Sequence, residues 1–305
     1  MRLGIVTEAF AERPLEAVLG WLADAAPTIT DLELGSGGYA PTTHCDRRLF
    51  LRDPAAREQW RRGIEERGFS VAALNAWGNP LHPDAEIADR HAADLRETIQ
   101  LAAELGVERV LALAGCPGDV RPRFAAGGWL PYLEGDHERQ WDEVGAPFWT
   151  ELAEFARREH PELLVCIELH PGTLVYNLET FSELAAAGQN LAANVDPSHF
   201  FWMQMDPLAL VERLPRVGYA HLKDVVFDGD ALALNGLLDH RWPAGDASWR
   251  FATVGRGRDG SWWRAFLDAL AARGVGTAAI EHEDPLIPVE RGIVEAAEVF
   301  AATTA

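Results

Sequence analysis

The sequence predicts an α/β protein folded as one (β/α)8 TIM barrel spanning residues 1–305, and three observations predict it. Eight short apolar, strand-like runs alternate with eight segments of helical period along the 305 residues. Repeated βα units build a parallel sheet through right-handed crossovers. No GxGxxG follows the first run, which leaves an open, doubly wound sheet as the weaker alternative. Finally, the last four runs end in carboxylate or imidazole side chains, where barrels of this kind carry their active sites.

The elements follow in order. LGIV (3–6) is the first strand, and a helix runs from about Pro14, placed where a missing N–H costs nothing, to Ala26. TITDLELG (28–35) is the second strand, with Ile29, Leu32 and Leu34 as its apolar residues. A Gly-, Pro- and Thr-rich loop (35–45) leads to a helix over 53–67, then strand FSVAALN (69–75). In the helix over 83–105, Ile87, His91, Leu95 and Ile99 share roughly one face, and Gly106 ends it. Strand VERVLALAG (107–115) precedes a long aperiodic segment, 116–144, which reads as a functional wall. After a helix over 147–159 come strand 163–168, helix 178–187, strand 191–196, helix 206–214 and strand 217–222. A second long loop (225–250), a helix over 261–273, strand 277–281 and a helix over 289–301 complete the chain.

Composition narrows the function classes. With 48% hydrophobic residues the chain can bury a large core. Cys45, Cys116 and Cys166 form no CxxC, which fits buried thiols in a reducing compartment. No apolar run approaches the roughly 18 residues of a membrane span, and the first residues lack the order of a signal peptide. The expectation is a cytoplasmic protein with no membrane partner. Its net charge of −20 repels phosphate backbones, which disfavours nucleic acid. The GRG at 255–257 lacks phosphate-loop spacing. A homo-oligomer is left open.

Glu168, Asp196, His221 and Glu281 end the fifth to eighth strands. Neighbouring strands lie about 4.8 Å apart, so these four can converge on one ion. Three carboxylates and an imidazole suit a divalent metal, with Mn²⁺ expected and Mg²⁺, Co²⁺ or Zn²⁺ as alternatives. His170 and Glu283 share strand parity with Glu168 and Glu281, and Asn75 follows the third strand; all three are candidates for substrate binding. Lys223, the only lysine in the chain, points the same way as His221. It either faces substrate or pairs with Asp224 or Glu283 behind the metal carboxylates.

The motifs IELH (167–170), VDPSH (195–199), HLKD (221–224) and IEHEDP (280–285) resemble the xylose isomerase-like barrels of the sugar isomerase/epimerase superfamily, over the whole length. The resemblance implies that Glu168, Asp196, His221 and Glu281 are the metal ligands and that His199 contacts substrate. It further implies that Glu168 and Glu281 flank the reacting carbon, as in the ketose 3-epimerases. The implied reaction is isomerisation or epimerisation of a keto sugar through an enediolate, with His199 and Lys223 steadying its oxygens. The alternative uses the same enolate for β-elimination, as a lyase or dehydratase opening keto-glycosides or C-glycosides, or acting as inosose dehydratase does. Long segments 116–144 and 225–250 depart from the compact epimerases and leave room for a larger substrate. A barrel that only binds, or an abasic-site endonuclease, fits less well: the latter needs a basic groove that an acidic chain lacks.

Overall fold

Residues 1–118 and 136–304 are described by the computed structural model. Alternation within each run sets the architecture, because successive side chains in a strand face opposite sides. The barrel strands are β1 (Arg2–Val6), β2 (Ile29–Gly35), β3 (Ser70–Asn75), β4 (Arg109–Leu113), β5 (Leu164–Glu168), β6 (Leu191–Val195), β7 (Val217–Leu222) and β10 (Thr277–Ile280). They close in the order β1-β10-β7-β6-β5-β4-β3-β2, and every neighbouring pair is parallel. Outward-facing Leu32, Leu34, Val165 and Ile167 join the large core between barrel and helices.

Inside the barrel, Val6, Ala73, Leu111, Cys166, Ala192, Tyr219 and Ala279 form one apolar layer. Two residues further along, at or just past the strand ends, the inward face turns polar at six of these seven positions, Leu113 excepted: Glu8, Asn75, Glu168, Asn194, His221 and Glu281. The interior therefore passes from hydrocarbon to ionic groups within about 7 Å, two residues of strand rise.

The helices start where short polar residues and proline dictate. Three Asp-Pro pairs begin α3 (Pro54–Glu65), α8 (Pro197–Trp202) and α9 (Pro207–Arg213), with each aspartate accepting an amide N–H of the first turn. Asp84 does the same for α4 (Ala85–Leu105), and Gly106, at φ +69°, closes it in the left-handed region. The flanking layer is completed by α1 (Leu15–Ala25), α6 (Ala146–Glu159), α7 (Leu178–Ala187), α11 (Gly260–Ala272) and α12 (Val289–Thr304).

The eight-fold alternation predicted from the sequence is present, and the differences lie in the connections. Short helices α2 (Arg47–Arg52) and α8 follow the ends of the second and sixth barrel strands, too brief for a helical period to show. The helix read from Pro147 begins earlier: α5 (Asp136–Gln140) runs into α6 through one π turn, Trp141–Gly145. That wider turn directly precedes Pro147, whose ring cannot support a regular interior hydrogen bond. Residues 119–135 of the segment after β4, Trp129 among them, lie outside the described residues.

The loop after β7 is ordered into an antiparallel pair, β8 (Asp224–Phe227) and β9 (Trp249–Ala252), with α10 (Gly229–Asn235) between them. Two carboxylates anchor this excursion. Asp224 accepts the amides of Gly255, Gly257 and Arg258, so the GRG turn encloses a carboxylate of its own chain. Asp284 accepts both the amide and the hydroxyl of Thr253.

Candidate metal centre

Strands β5, β6, β7 and β10 are consecutive around the barrel, and each delivers one charged side chain from its C-terminal end. Glu168, Asp196, His221 and Glu281 each offer one donor atom, and the four atoms lie within 4.8 Å of one another. All four residues are buried. Asp196 is further fixed by its place at the start of α8, where its Oδ1 accepts the Ser198 amide at 2.8 Å and leaves Oδ2 for the cluster.

The imidazole is oriented from behind. His221 Nε2 lies 2.9 Å from Glu33 Oε2, while Nδ1 lies 3.1 Å from Glu281 Oε2. A carboxylate on one ring nitrogen fixes the tautomer and turns the other nitrogen toward a metal. Glu33 is itself held, since Asn75 Nδ2 donates to its Oε1 at 2.7 Å. Asn75 Oδ1 in turn accepts the Trp77 amide at 2.9 Å.

Two further basic groups close on the carboxylates. His199 Nε2 is 2.9 Å from Glu168 Oε1 and 3.5 Å from Asp196 Oδ2. Its ring packs edge-on against His170 at 4.4 Å and Phe251 at 5.6 Å. Buried Lys223 places Nζ 3.0 Å from Asp196, 2.9 Å from Glu281 and 2.8 Å from Glu283, and 4.5 Å from the Phe251 ring centre.

This environment sets the titration of each group. Burial pushes Glu168 up to about 7, with the Glu281 charge adding to it and His221 opposing. For Glu281 burial also acts upward, but Lys223 and His221 outweigh it and hold the carboxyl below its ordinary range. His221 goes the other way: burial works against its charge, and Glu33 with Glu281 overcomes that and raises it well. Burial lowers both His170 and His199 to about 4, which keeps these imidazoles neutral. Glu8, beyond β1, is pushed up to about 8 by burial and by the charges of Glu33 and Glu281.

The residues present fit a divalent ion. Five carboxylates (Glu33, Glu168, Asp196, Glu281 and Glu283) face one lysine and the imidazoles of His199 and His221, of which burial keeps His199 neutral, and four of those carboxylates are buried. Buried negative charge in such excess calls for a cation. Asp196 Oδ2 and Glu281 Oε2 are buried oxygens that accept no hydrogen bond of normal geometry, and Lys223 Nζ lies beside both. The donor set is oxygen-rich with one nitrogen, which suits Mn²⁺, Mg²⁺, Co²⁺ or Zn²⁺.

The structure thus brings together Glu168, Asp196, His221, Glu281, His199, His170, Lys223 and Glu283. Lys223 pairs with Glu283 but not with Asp224, whose carboxylate is committed to the 255–258 turn. Asn75 reaches the site through Glu33, with both ends of its amide engaged there and at Trp77. Sequence reasoning missed Glu33, Glu8 and Trp77. The signal was available for Glu33: strands buried on both faces read as continuous apolar runs, and TITDLELG breaks that rule inward at Asp31 and Glu33. The aromatic residues of the excursion form a wall, with Trp202 stacked on Trp249 at 4.9 Å and Trp249 packed on Phe251 at 5.5 Å. A larger groove, about 700 Å³, lies outside the barrel between α1 and α3, remote from the strand ends and their charged groups.

The profile of the family described as "Xylose isomerase-like TIM barrel" matches residues 32–303. The chain belongs to this family. The uncharacterized protein YfiH of Bacillus subtilis (strain 168) is 31% identical over 314 residues, covering 99% of each chain. Three solved structures share the fold at lower identity. The probable 3-DHS dehydratase AsbF of Bacillus anthracis superposes with a TM-score of 0.69 at 14% identity, covering 99% of each chain. The IolI protein, solved with a bound zinc atom, gives 0.68 at 16% identity, covering 99% of this chain and 98% of that one. A D-psicose 3-epimerase solved in the presence of D-fructose gives 0.61 at 13%, with coverage of 99% and 98%. No helix among the described residues is long and apolar enough to cross a membrane.

Proposed function

We propose that this protein is a divalent-metal-dependent isomerase or epimerase of a keto sugar or sugar derivative, working by proton abstraction next to a carbonyl. One observation carries the reading. Glu168 and Glu281 come from strands that are not neighbours, yet both reach the same four-donor cluster from opposite sides of Asp196 and His221. A carbon held there has a carboxylate on each side.

Glu168, Asp196, His221 and Glu281 would hold the ion, with Mn²⁺ the preferred occupant. When bound, it supplies Lewis-acid polarisation of the substrate carbonyl. Glu168 removes the proton on one face, and His199, hydrogen-bonded to it, fixes the orientation of the carboxylate. A solvent-derived proton, handed on from the Lys223 ammonium 2.9 Å from its carboxylate, would pass through Glu281 to the other face, while the proton taken by Glu168 leaves to solvent. Each positioned acid or base contributes about 10²–10⁴-fold. Lys223 Nζ and the His199 ring also supply donors where negative charge develops on the substrate oxygens. His170, Glu283 and Asn75 line or support the approach to these groups.

The aromatic wall of β8 and β9 favours a second reading, β-elimination from the same activated carbon. Phe251 touches both His199 and Lys223, and Trp249 and Trp242 continue the apolar surface outward. Such a surface suits a substrate with a bulky substituent as leaving group.

The test is solvent-deuterium incorporation into D-fructose, D-psicose and D-tagatose at saturating Mn²⁺. Wild-type protein incorporates deuterium, and Glu281→Gln slows this by about 10²–10⁴-fold while keeping its fold. Exchange at the wild-type rate in the variant contradicts the two-glutamate mechanism. Loss of a substituent in place of exchange selects elimination.

A further inference from the structure

We infer that Glu8 and Trp77 form a second polar subsite beside the metal centre, which binds a substrate hydroxyl that the metal ligands do not reach. This rests on the proposed carbohydrate substrate and adds to it which protein groups read the sugar's hydroxyl pattern.

A cavity of about 220 Å³ is lined by Glu8, Trp77, Glu281 and Glu283, among others. It therefore opens directly off the cluster through Glu281. Besides Glu281 Oε2, which belongs to the cluster, two of its groups stand out among the described residues. Glu8 Oε1 and Trp77 Nε1 are both buried, and neither has a hydrogen-bond partner. Buried polar groups without partners are uncommon and ask for an explanation. One of these is an acceptor and the other can only donate. A hydroxyl can serve as either partner, so the hydroxyls of a bound sugar are the groups that answer them.

The two side chains are held for this role. Glu8 stands on the 3-10 turn Thr7–Phe10, two residues past the inward-facing Val6, with Oε1 directed at the end of β2. Gly35 lies beside it: a Cβ there would only touch Glu8 Oε1, at 3.4 Å, but would overlap the Pro41 carbonyl at 2.3 Å. Trp77 is pinned at both ends of its backbone. Its N–H donates to Asn75 Oδ1, and its carbonyl accepts the Tyr39 amide. Gly38 makes that approach feasible, because its φ of +70° and its contact with the Trp77 carbonyl exclude any side chain. The indole stands edge-on to the His221 ring at 5.7 Å, which fixes its distance from the metal ligands. An acceptor and a donor, preorganised beside a Lewis-acid site, discriminate sugars by whether their hydroxyls reach them.

The experiment uses full-length, Mn²⁺- or Mg²⁺-loaded protein with D-fructose, D-tagatose and D-psicose as probes. In ¹⁵N-tryptophan-labelled Mg²⁺ protein, the Trp77 indole cross-peak is the one absent from Trp77→Phe. It is expected to shift on titration with at least one of these sugars. Glu8→Leu and Trp77→Phe then raise KM or Kd about 10- to 100-fold, the effect of leaving a hydroxyl partner unmade. Glu8→Gln, which keeps a carbonyl acceptor, stays within about 5-fold of wild type. Metal affinity is unchanged in all three variants, which separates the effect from damage to the ligands. If a sugar saturates the protein while the Trp77 peak stays still and Glu8→Leu and Trp77→Phe bind it like wild type, the cavity holds only solvent and the inference is overturned. If no sugar shifts any signal, the carbohydrate reading fails first and this inference with it.

Discussion

The two halves of the barrel mouth are built differently. On the half formed by β5, β6, β7 and β10, charged side chains converge directly on one another, with donors within 4.8 Å. On the half formed by β1, β2, β3 and β4, the polar groups come from the ends of the first three and act one step back. Glu33 grips the far nitrogen of His221, Asn75 grips Glu33, and Glu8 and Trp77 face the adjoining cavity. The first half is suited to holding a cation and moving protons. The second is suited to setting geometry and reading the substrate. The difference teaches that the candidate metal centre is shaped from both sides of the ring, although its four donors come from one side.

Substitutions can break this comparison, and the largest effect is expected on the ligand half. His221→Ala removes a donor outright and should lower Mn²⁺ affinity by more than the roughly 10–100-fold that follows loss of a ligand's partner. Calorimetric titration of the purified variant measures it. Glu33→Gln leaves all four donors and removes only the charge behind His221. It should fall within that 10–100-fold range, and retention of wild-type affinity would mean the two halves are not coupled.

Acidity sharpens the comparison within the ligand half. Glu168, raised to about 7 by burial and the neighbouring charge, must lose its proton to bind a metal. Mn²⁺ affinity should therefore weaken as pH falls from 8 to 6, and Glu168→Gln should flatten that part of the dependence. The smallest effect belongs to the other half. Glu8 is raised from 4.5 to about 8 by burial and by Glu33, Glu281 and Glu283, with His221 opposing. Its folded-state pKa exceeds the unfolded one, so its stabilising contribution is full below about pH 4.5 and is lost as pH rises through 8. Metal-free Glu8→Gln should match wild type at pH 4.5. It should gain about 1–3 kcal/mol over wild type by pH 9, read from urea midpoints.

The same division explains what the sequence revealed. The ligand half is written as contiguous motifs: IELH, VDPSH, HLKD and IEHEDP each place a donor at the end of an apolar run, where strand parity points it inward. The other half is written as single residues. Glu33 sits between Leu32 and Leu34, and only its inward parity in a strand buried on both faces marks it. Glu8 and Trp77 lie one step beyond their strands, where a 3-10 turn and a glycine-lined loop decide direction, and no periodicity reports those. Lys223 shows the limit from the other side. Its inward direction followed from parity, but its three carboxylate partners come from β6 and from beyond β10, far away in sequence.

Anomalous diffraction from crystals grown with Mn²⁺ tests the central claim most directly. One strong peak is expected, bonded to Glu168, Asp196, Glu281 and Nδ1 of His221, with Glu33 still on Nε2. A protein that crystallises without a peak there, or with one bound to other residues, contradicts it.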